Sequence, residues 1–156
     1  MSKKKTFSVD DAYALETPAD SVRLYGDWAD TYDNDFVAQT GYVLHRQVAN
    51  AFMQAQPAMH GPVLDVGCGT GVLGVALRRS GIAVVDGIDI SEPMLARAGD
   101  KKSATGEPVY RELFAADLTG KLDIASDAYA GVVSSGTFTL GHVGPELTTP
   151  DRKSVV

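Results

Sequence analysis

A glycine-rich turn that follows an apolar strand is the segment of this chain best suited to chemistry on a small molecule. Residues 63–71 read VLDVGCGTG. Gly67, Gly69 and Gly71 allow positive φ and let a ligand approach the backbone without a Cβ in the way. A helix that begins near Val72 would point its free N–H groups at the same place. These features are typical of any nucleotide-binding turn.

The acidic residue before the turn narrows the choice of ligand. Asp65 would repel a pyrophosphate resting on the turn, and it would attract an ammonium group. S-adenosylmethionine carries an ammonium and a sulfonium and has no phosphate, so the charge favours this cofactor over NAD or ATP. A second acid, Asp89, ends the next apolar run, residues 82–89. A carboxylate at such a strand end accepts hydrogen bonds from both hydroxyls of a ribose.

Four further blocks occur in order along the chain and carry a resemblance to a known family. They are YGDWADTYD at 25–33, DGIDIS at 86–91, ADLT at 116–119 and SGTFTLGHVGPE at 135–146. With the turn, they resemble the class I S-adenosylmethionine-dependent methyltransferases. Within that family they are similar to the small subgroup that includes the Williams-Beuren-region methyltransferase-like protein. The resemblance covers roughly residues 20–147, and it implies methyl transfer without naming the acceptor.

The resemblance also implies roles for individual residues. The methionine part of the cofactor would lie at Asp65 and the turn, the ribose at Asp89, and the adenine beside Ile90, Met94, Asp117 and Leu118. The implied cofactor-binding residues are Asp65, Gly67, Cys68, Gly69, Gly71, Asp89, Ile90, Met94, Asp117, Leu118, Ser134, Trp28 and Tyr32. The catalytic residue is unknown, and His142 is the one ionisable candidate near the acceptor rim for taking up a proton.

Structural roles compete with several of these assignments. Asp117 is also suited to cap a turn toward Gly120, and a loop histidine such as His142 often makes only a structural hydrogen bond. Trp28 and Tyr32, at helical spacing, suit the core as well as the cofactor. Cys68 suits the turn simply by being small.

The elements that must position these residues alternate between helix and strand. Apolar residues at steps of three and four predict two helices before the first strand, lying over the cofactor edge as a partial lid; they are Val22, Tyr25, Ala29 and Tyr32, then Leu44, Val48, Ala51 and Phe52. Another helix should end at Gly81, and Ser91 should cap a further one that ends at Gly99. Short strands are expected over 112–116 and 128–135, and residues 101–108 are the expected flexible connection. The predicted fold class is therefore α/β, a Rossmann-like doubly wound parallel sheet, incomplete at about four strands.

Composition favours one cytoplasmic domain that acts on a small molecule. The chain has 156 residues, 44% of them hydrophobic, with a net charge of −6 and no basic cluster beyond its first five residues. Nucleic acid is therefore an unlikely partner, and no apolar run suggests a signal peptide or a membrane anchor. A single cysteine allows no internal disulfide, and no Cys/His set has zinc spacing, so no metal is expected. Residues 1–18 are predicted to be a flexible tail, and residues 19–156 a single cofactor-binding domain.

The carboxyl end departs from the family pattern. After residue 147 the family continues into a helix and about three further strands, whereas the sequence TTPDRKSVV closes this chain. The expectation is a partial copy, lacking its C-terminal strands, with low stability and an open edge at the fourth strand that invites self-association. An alternative function follows: a non-catalytic remnant that binds the cofactor or pairs through that edge. An NAD-dependent short-chain oxidoreductase lacks the required Tyr-x-x-x-Lys pair and does not suit Asp65.

Overall fold

A four-stranded parallel sheet organises the part of the chain that the computed structural model describes, namely residues 11, 14–15, 17–38, 41–55, 60–125 and 127–138. The strands are β1 (Val63–Val66), β2 (Val85–Asp89), β3 (Leu113–Ala115) and β4 (Gly131–Ser134). Their order is β3-β2-β1-β4, and each pairing is parallel. The predicted Rossmann-like α/β fold is confirmed. Because the order reverses at β1, a crevice opens between the carboxyl ends of β1 and β4.

Within the described ranges, four α-helices and one π-helical segment of six residues or more accompany the sheet. They are α1 (Pro18–Trp28), the π-helical segment (Asp33–Ala38), α2 (Leu44–Ala55), α3 (Val72–Arg79) and α4 (Glu92–Asp100). Thr17 caps α1 through a capping box with Asp20, so the helix begins inside the predicted tail. The first helix is shorter than predicted, because it ends at Trp28 and the chain turns before the π-helical segment. Gly99 lies inside α4 and does not end it.

The helices α2, α3 and α4 share one face of the sheet. The residues of this core alternate along the strands, and they include Phe52, Leu73, Leu77, Leu95, Val63, Val85 and Val133. Both crossovers, β1 to β2 and β2 to β3, run in the same direction, so right-handed connections place α3 and α4 together. The opposite face, with Leu64, Val66 and Ile88, is covered by apolar side chains of the segment between β3 and β4. That covering segment contains no helix among its described residues.

A buried carboxylate anchors the covering segment. Asp86 of β2 is fully buried on this face, and its carboxylate accepts hydrogen bonds from the Glu112 N–H at 3.0 Å and the Tyr129 hydroxyl at 2.8 Å. The Arg111 guanidinium pairs with both carboxylate oxygens. Burial and the bond to Asp86 raise the pKa of Tyr129 to about 12. The network joins β2 to the two residues just before β3 and, through Tyr129, to the end of the covering segment.

The connection between α4 and β3 differs from the prediction of a flexible link. Lys102 and Pro108 form an antiparallel bridge, and the Ser103 N–H donates to the Glu107 carbonyl at 2.8 Å. The Val109 N–H donates to the Lys101 carbonyl at 3.1 Å, which closes the loop at its base. Residues 101–108 therefore form a hydrogen-bonded loop.

No helix in the described ranges is long and apolar enough to cross a membrane.

Candidate cofactor site

A cleft opens at the carboxyl ends of β1, β2 and β4, where the strand order reverses. Its lining comes from α1 and the residues between α1 and α2, from the turn after β1 and the start of α3, from the end of β2 and the first turn of α4, and from the residues that follow β3 and β4. The lining residues are Ser21, Tyr25, Tyr32, Tyr42, Gly67, Cys68, Gly69, Thr70, Val72, Asp89, Ile90, Met94, Asp117, Leu118, Thr119, Ser135, Gly136 and Thr137. Open α/β sheets bind their ligands at this position. The two acidic side chains of the lining, Asp89 and Asp117, face no lysine, arginine or histidine among the described lining residues.

The glycine-rich turn follows β1 directly and forms the floor of the cleft. Gly67 has φ of 67°, and a Cβ built there would overlap the Thr137 side chain, so only glycine lets the turn lie against the end of β4. Gly69, with φ of 52°, has no atom within 4 Å of such a Cβ and faces open space. Gly71 does not line the cleft. A Cβ built at Gly71 would lie 2.9 Å from the ring of Tyr110, so glycine is needed there to leave room for that ring.

Asp89 connects the end of β2 to the loops on either side of it. Its Oδ2 accepts a hydrogen bond from the Gly69 N–H at 2.8 Å, and its Oδ1 accepts one from the Ser91 N–H at 2.9 Å. Burial raises the pKa of the Asp89 carboxyl group, and these N–H donors act in the opposite direction. The predicted acid is therefore in the cleft wall, held rigidly by backbone groups.

Asp65, at which the resemblance places the methionine part of the cofactor, lies beneath the turn and does not line the cleft. Its Oδ2 accepts a hydrogen bond from the Tyr110 hydroxyl at 2.7 Å, and its Oδ1 is buried without a hydrogen-bond partner among the described residues. Burial raises the pKa of Asp65 to about 7, the bond from Tyr110 opposes that rise, and the nearby Asp89 carboxylate adds to it. The Gly74 N–H also favours the charged form, although it falls short of hydrogen-bond geometry to Oδ1.

The residues expected around an adenine lie together on one side of the cleft. Ile90, Met94, Asp117 and Leu118 all line it. Asp117 also makes the turn that was its competing role, because its Oδ1 accepts hydrogen bonds from the Thr119 N–H at 2.8 Å and the Thr119 hydroxyl at 2.7 Å. The two roles are compatible in this geometry.

The aromatic residues of the N-terminal segment divide between cleft and core. Tyr25 and Tyr32 line the cleft. Trp28 does not: it is only 2% exposed and packs edge-on against Tyr32, with ring centroids 4.9 Å apart. It also stacks on Tyr25 at 6.3 Å. Trp28 therefore packs behind the two tyrosines, in the core role that its helical spacing also allowed.

Two ionic contacts hold the N-terminal segment over the cleft. Asp33, in the π-helical segment, accepts hydrogen bonds from the Thr70 hydroxyl and the Lys101 ammonium group. Asp30 pairs with the Arg97 guanidinium on α4. The expected partial lid is thus tied both to the glycine-rich turn and to α4.

Comparison with known proteins identifies the family. The family model described as "Methyltransferase domain" matches residues 63–149, more than half of the chain. The chain belongs to this family. Human methyltransferase-like protein 27 is 36% identical over 92 residues, which cover 56% of this chain and 36% of that protein. A tRNA1(Val) (adenine(37)-N6)-methyltransferase of Dickeya chrysanthemi is 31% identical over 75 residues, covering 47% of this chain and 30% of the relative.

Solved structures agree with the fold. Magnesium protoporphyrin IX methyltransferase from Synechocystis, with bound S-adenosylmethionine, matches with a TM-score of 0.54 and 26% identity over 78% of this chain and 62% of its own. A Methanococcus maripaludis protein described as an S-adenosyl-L-methionine-dependent methyltransferase gives a TM-score of 0.56 at 18% identity, over 74% of this chain and 50% of its own. This methyltransferase domain spans about a third of the length of the two curated relatives above.

Several cleft residues of the methyltransferase domain were not singled out from its sequence. The Tyr42 hydroxyl and the Ser135 Oγ form a hydrogen bond of 2.9 Å on the β4 side of the cleft. Ser134, which was predicted, instead donates from its hydroxyl to the Val66 carbonyl at 2.8 Å and does not line the cleft. Nothing in the spacing around Tyr42 signals this role, whereas Ser135 belongs to a block that was recognised.

The remaining predictions concern histidines and metals. His142 lies outside the described residues. His45, near the start of α2, is buried, and its ring stacks on that of Tyr42 with the ring centroids 5.6 Å apart. Within the described ranges no group of three or more His, Cys, Asp and Glu side chains could hold a metal ion.

Proposed function

We propose that this domain binds S-adenosylmethionine in the cleft and transfers its methyl group to a small-molecule acceptor. The observation that carries the proposal is the meeting of a glycine-rich turn with a buried acid, Asp65, and a half-buried acid in the cleft wall, Asp89, at the switch point of the sheet. Membership of the methyltransferase-domain family and the likeness to a structure with that cofactor bound support the same reading.

The donor set suits the proposed cofactor. The Asp65 carboxylate lies beneath the floor of the cleft, where its negative charge would attract an ammonium group. Its Oδ1 has no hydrogen-bond partner among the described residues, and a buried acceptor without a donor is destabilising on its own. Asp89 offers a carboxylate to ribose hydroxyls, while Ile90, Met94 and Asp117 offer two apolar surfaces and an acceptor for adenine. A pyrophosphate would meet this acidic wall without a compensating cation in the described lining.

Little covalent chemistry is required of the protein. When bound, S-adenosylmethionine supplies a methyl group on a sulfonium, which is already a good leaving group. The side chains have to align an acceptor and exclude water. Tyr25 and Tyr32 cover the cleft from the N-terminal segment, and Tyr42 with Ser135 presents hydroxyl groups at the end of β4. Those two hydroxyls are the proposed contacts to the acceptor.

A small-molecule acceptor is proposed because the site lacks the charge that nucleic-acid binding requires. The chain carries a net charge of −6, and the described lining holds no basic side chain. Membership of the Williams-Beuren-type subgroup is likewise proposed, on the strength of the four ordered sequence blocks. Self-association is proposed through β4, which lies at one edge of the described sheet.

Calorimetric titration with S-adenosylmethionine and S-adenosylhomocysteine tests the cofactor site. Wild-type protein should bind both, and Asp89→Ala should weaken binding at least about tenfold, because a ribose would lose a charged acceptor. Asp100→Ala, at an exposed position outside the cleft, is the matched control and should bind like the wild type. Absence of binding to folded wild-type protein would refute the proposal.

Methyl transfer is then tested separately, by following S-adenosylhomocysteine formation across a panel of small hydroxyl and amine acceptors. Turnover lost in Tyr42→Phe, with cofactor affinity unchanged, would support the proposed acceptor side. Binding without turnover on any acceptor would favour the non-catalytic alternative.

A further inference from the structure

Tyr110 fills the space beneath the glycine-rich turn, out of reach of the cleft. It is 6% exposed and lies just before β3. A Cβ built at Gly71 would lie 2.9 Å from its ring, one at Gly87 would lie 3.0 Å from it, and one at Gly74 would overlap its hydroxyl. Three glycines thus leave room for one tyrosine, and the family resemblance assigns no role to it.

The hydroxyl at the end of that ring is directed at Asp65. It donates to Asp65 Oδ2 at 2.7 Å, and both partners are buried. The contact leaves Oδ1 as the oxygen without a partner among the described residues. A hydrogen bond to one oxygen fixes the plane of the carboxylate, so it also fixes where the other oxygen can accept.

We propose that Tyr110 is a positioning residue for the cofactor's ammonium group. It acts through Asp65, whose negative charge and orientation it holds beneath the floor of the cleft, where that charge attracts the ammonium group. The inference rests on the proposed function. Hydrogen bonds to a carboxylate favour its charged form and are stronger than bonds between neutral groups. Tyr110 therefore opposes the burial that would otherwise neutralise Asp65 before the cofactor arrives.

Other titratable groups near Asp65 do not supply this effect. Asp89 is acidic and raises the pKa of Asp65. Burial raises the pKa of Cys68 and of Tyr42, so both face Asp65 as neutral groups near pH 7. Tyr110 itself has its pKa raised well above the ordinary value by burial, which keeps its proton available for donation. Among the described side chains it is the one that donates a hydrogen bond to Asp65.

The test is the pH dependence of S-adenosylhomocysteine binding to Tyr110→Phe and wild-type protein. If removal of the hydroxyl raises the pKa of Asp65 by about one unit, the variant binds roughly tenfold more weakly at about pH 6.5 and within about twofold of wild type at about pH 8.5. The ratio of the two dissociation constants is the readout, because titration of the ligand's own amino group cancels in it.

Tyr129→Phe is the matched control. It removes a hydroxyl bonded to a different buried carboxylate, Asp86, on the opposite face of the sheet, so its dissociation constants should follow the wild type at every pH. If the ratio of the Tyr110→Phe and wild-type dissociation constants is the same at every pH, Tyr110 acts only through its packing, and the inference is overturned. No binding by wild type at any pH would instead overturn the proposed function together with it.

A second substitution covers the case in which Tyr110→Phe does not fold. Site-specific 3-fluorotyrosine at position 110 nearly keeps the shape of the ring and makes the hydroxyl a stronger donor. The pH at which S-adenosylhomocysteine binding weakens on acidification must then be lower than in the wild type. An unchanged or higher value would contradict the inference.

Discussion

Asp65→Asn should stabilise the cofactor-free protein near pH 8 while removing its capacity to bind the cofactor. The wild-type carboxyl group is fully buried, and its pKa rises from 3.8 to about 7. Below about pH 4 both the folded and the unfolded chain hold this proton, and burial of the neutral acid carries no ionic penalty. As the pH rises toward 7 the unfolded chain releases its proton first, so stability falls.

The size of the effect follows from the shift. A rise from 3.8 to about 7 corresponds to a loss of about 4 kcal/mol once the pH exceeds 7, and about 3 kcal/mol of that loss falls between pH 5 and pH 8. Asparagine has no charge to bury, and its amide oxygen can still accept from the Tyr110 hydroxyl. The variant should therefore lack this part of the pH dependence.

Urea unfolding at about pH 5 and pH 8, without cofactor, measures the difference. The fluorescence of the single tryptophan, Trp28, is a suitable probe because it is buried in the core. Asp89 also has a raised pKa, but it is present in both proteins and largely cancels in the comparison. The exposed variant Asp100→Asn should track the wild type. If the free energy of unfolding depends on pH equally in wild type and Asp65→Asn, the argument that ionised Asp65 is destabilised by burial is refuted.

Two further substitutions examine the turn and the core. Gly67→Ala places a Cβ on the Thr137 side chain at a φ of 67°, so S-adenosylhomocysteine affinity by calorimetry should fall at least about tenfold. Gly81→Ala, also at positive φ but facing open space and outside the cleft, should leave affinity unchanged, and an equal loss in both would contradict the reasoning. Phe52→Ala should lower the free energy of unfolding by about 3–5 kcal/mol in urea titrations, since Phe52 lies on the buried face of α2 and is 2% exposed. The exposed Val22→Ala should change it by less than about 0.5 kcal/mol, and a similarly small change for Phe52 would show that α2 does not pack as described.

The fold and the floor of the cleft could be predicted because their signals are local. Apolar runs that end in Asp65 or Asp89 indicate buried parallel strands, and positive φ at Gly67 and Gly69 is a property of the turn itself. The negative charge of these two acids then favours a ligand with an ammonium group over one with a pyrophosphate. Each of these inferences needs only residues that are neighbours in sequence.

Which of these side chains are buried could not be predicted in this way. Trp28 and Tyr32 are four residues apart, which suggests that they lie on one face of a helix. The α-helix ends at Trp28, however, and a π-helical segment begins only at Asp33. The tryptophan therefore points into the core while the tyrosine reaches the cleft. Asp65 is buried because Tyr110, which is 45 residues later in the chain, closes over it. Such contacts depend on tertiary neighbours that no spacing pattern reveals.

The packing of Tyr110 against three glycines has a consequence for how sequences of this type can diverge. Alanine at position 74 is excluded by the hydroxyl of Tyr110, and alanine at position 71 by its ring and by the conformation of the turn. A chain that carried a smaller residue at 110 would release position 74 from this constraint, whereas position 71 would still need glycine for its φ of 90°. Positions 74 and 110 should therefore change together across relatives, with a small residue at one allowing a larger residue at the other. Position 71 should stay fixed whatever its neighbours become.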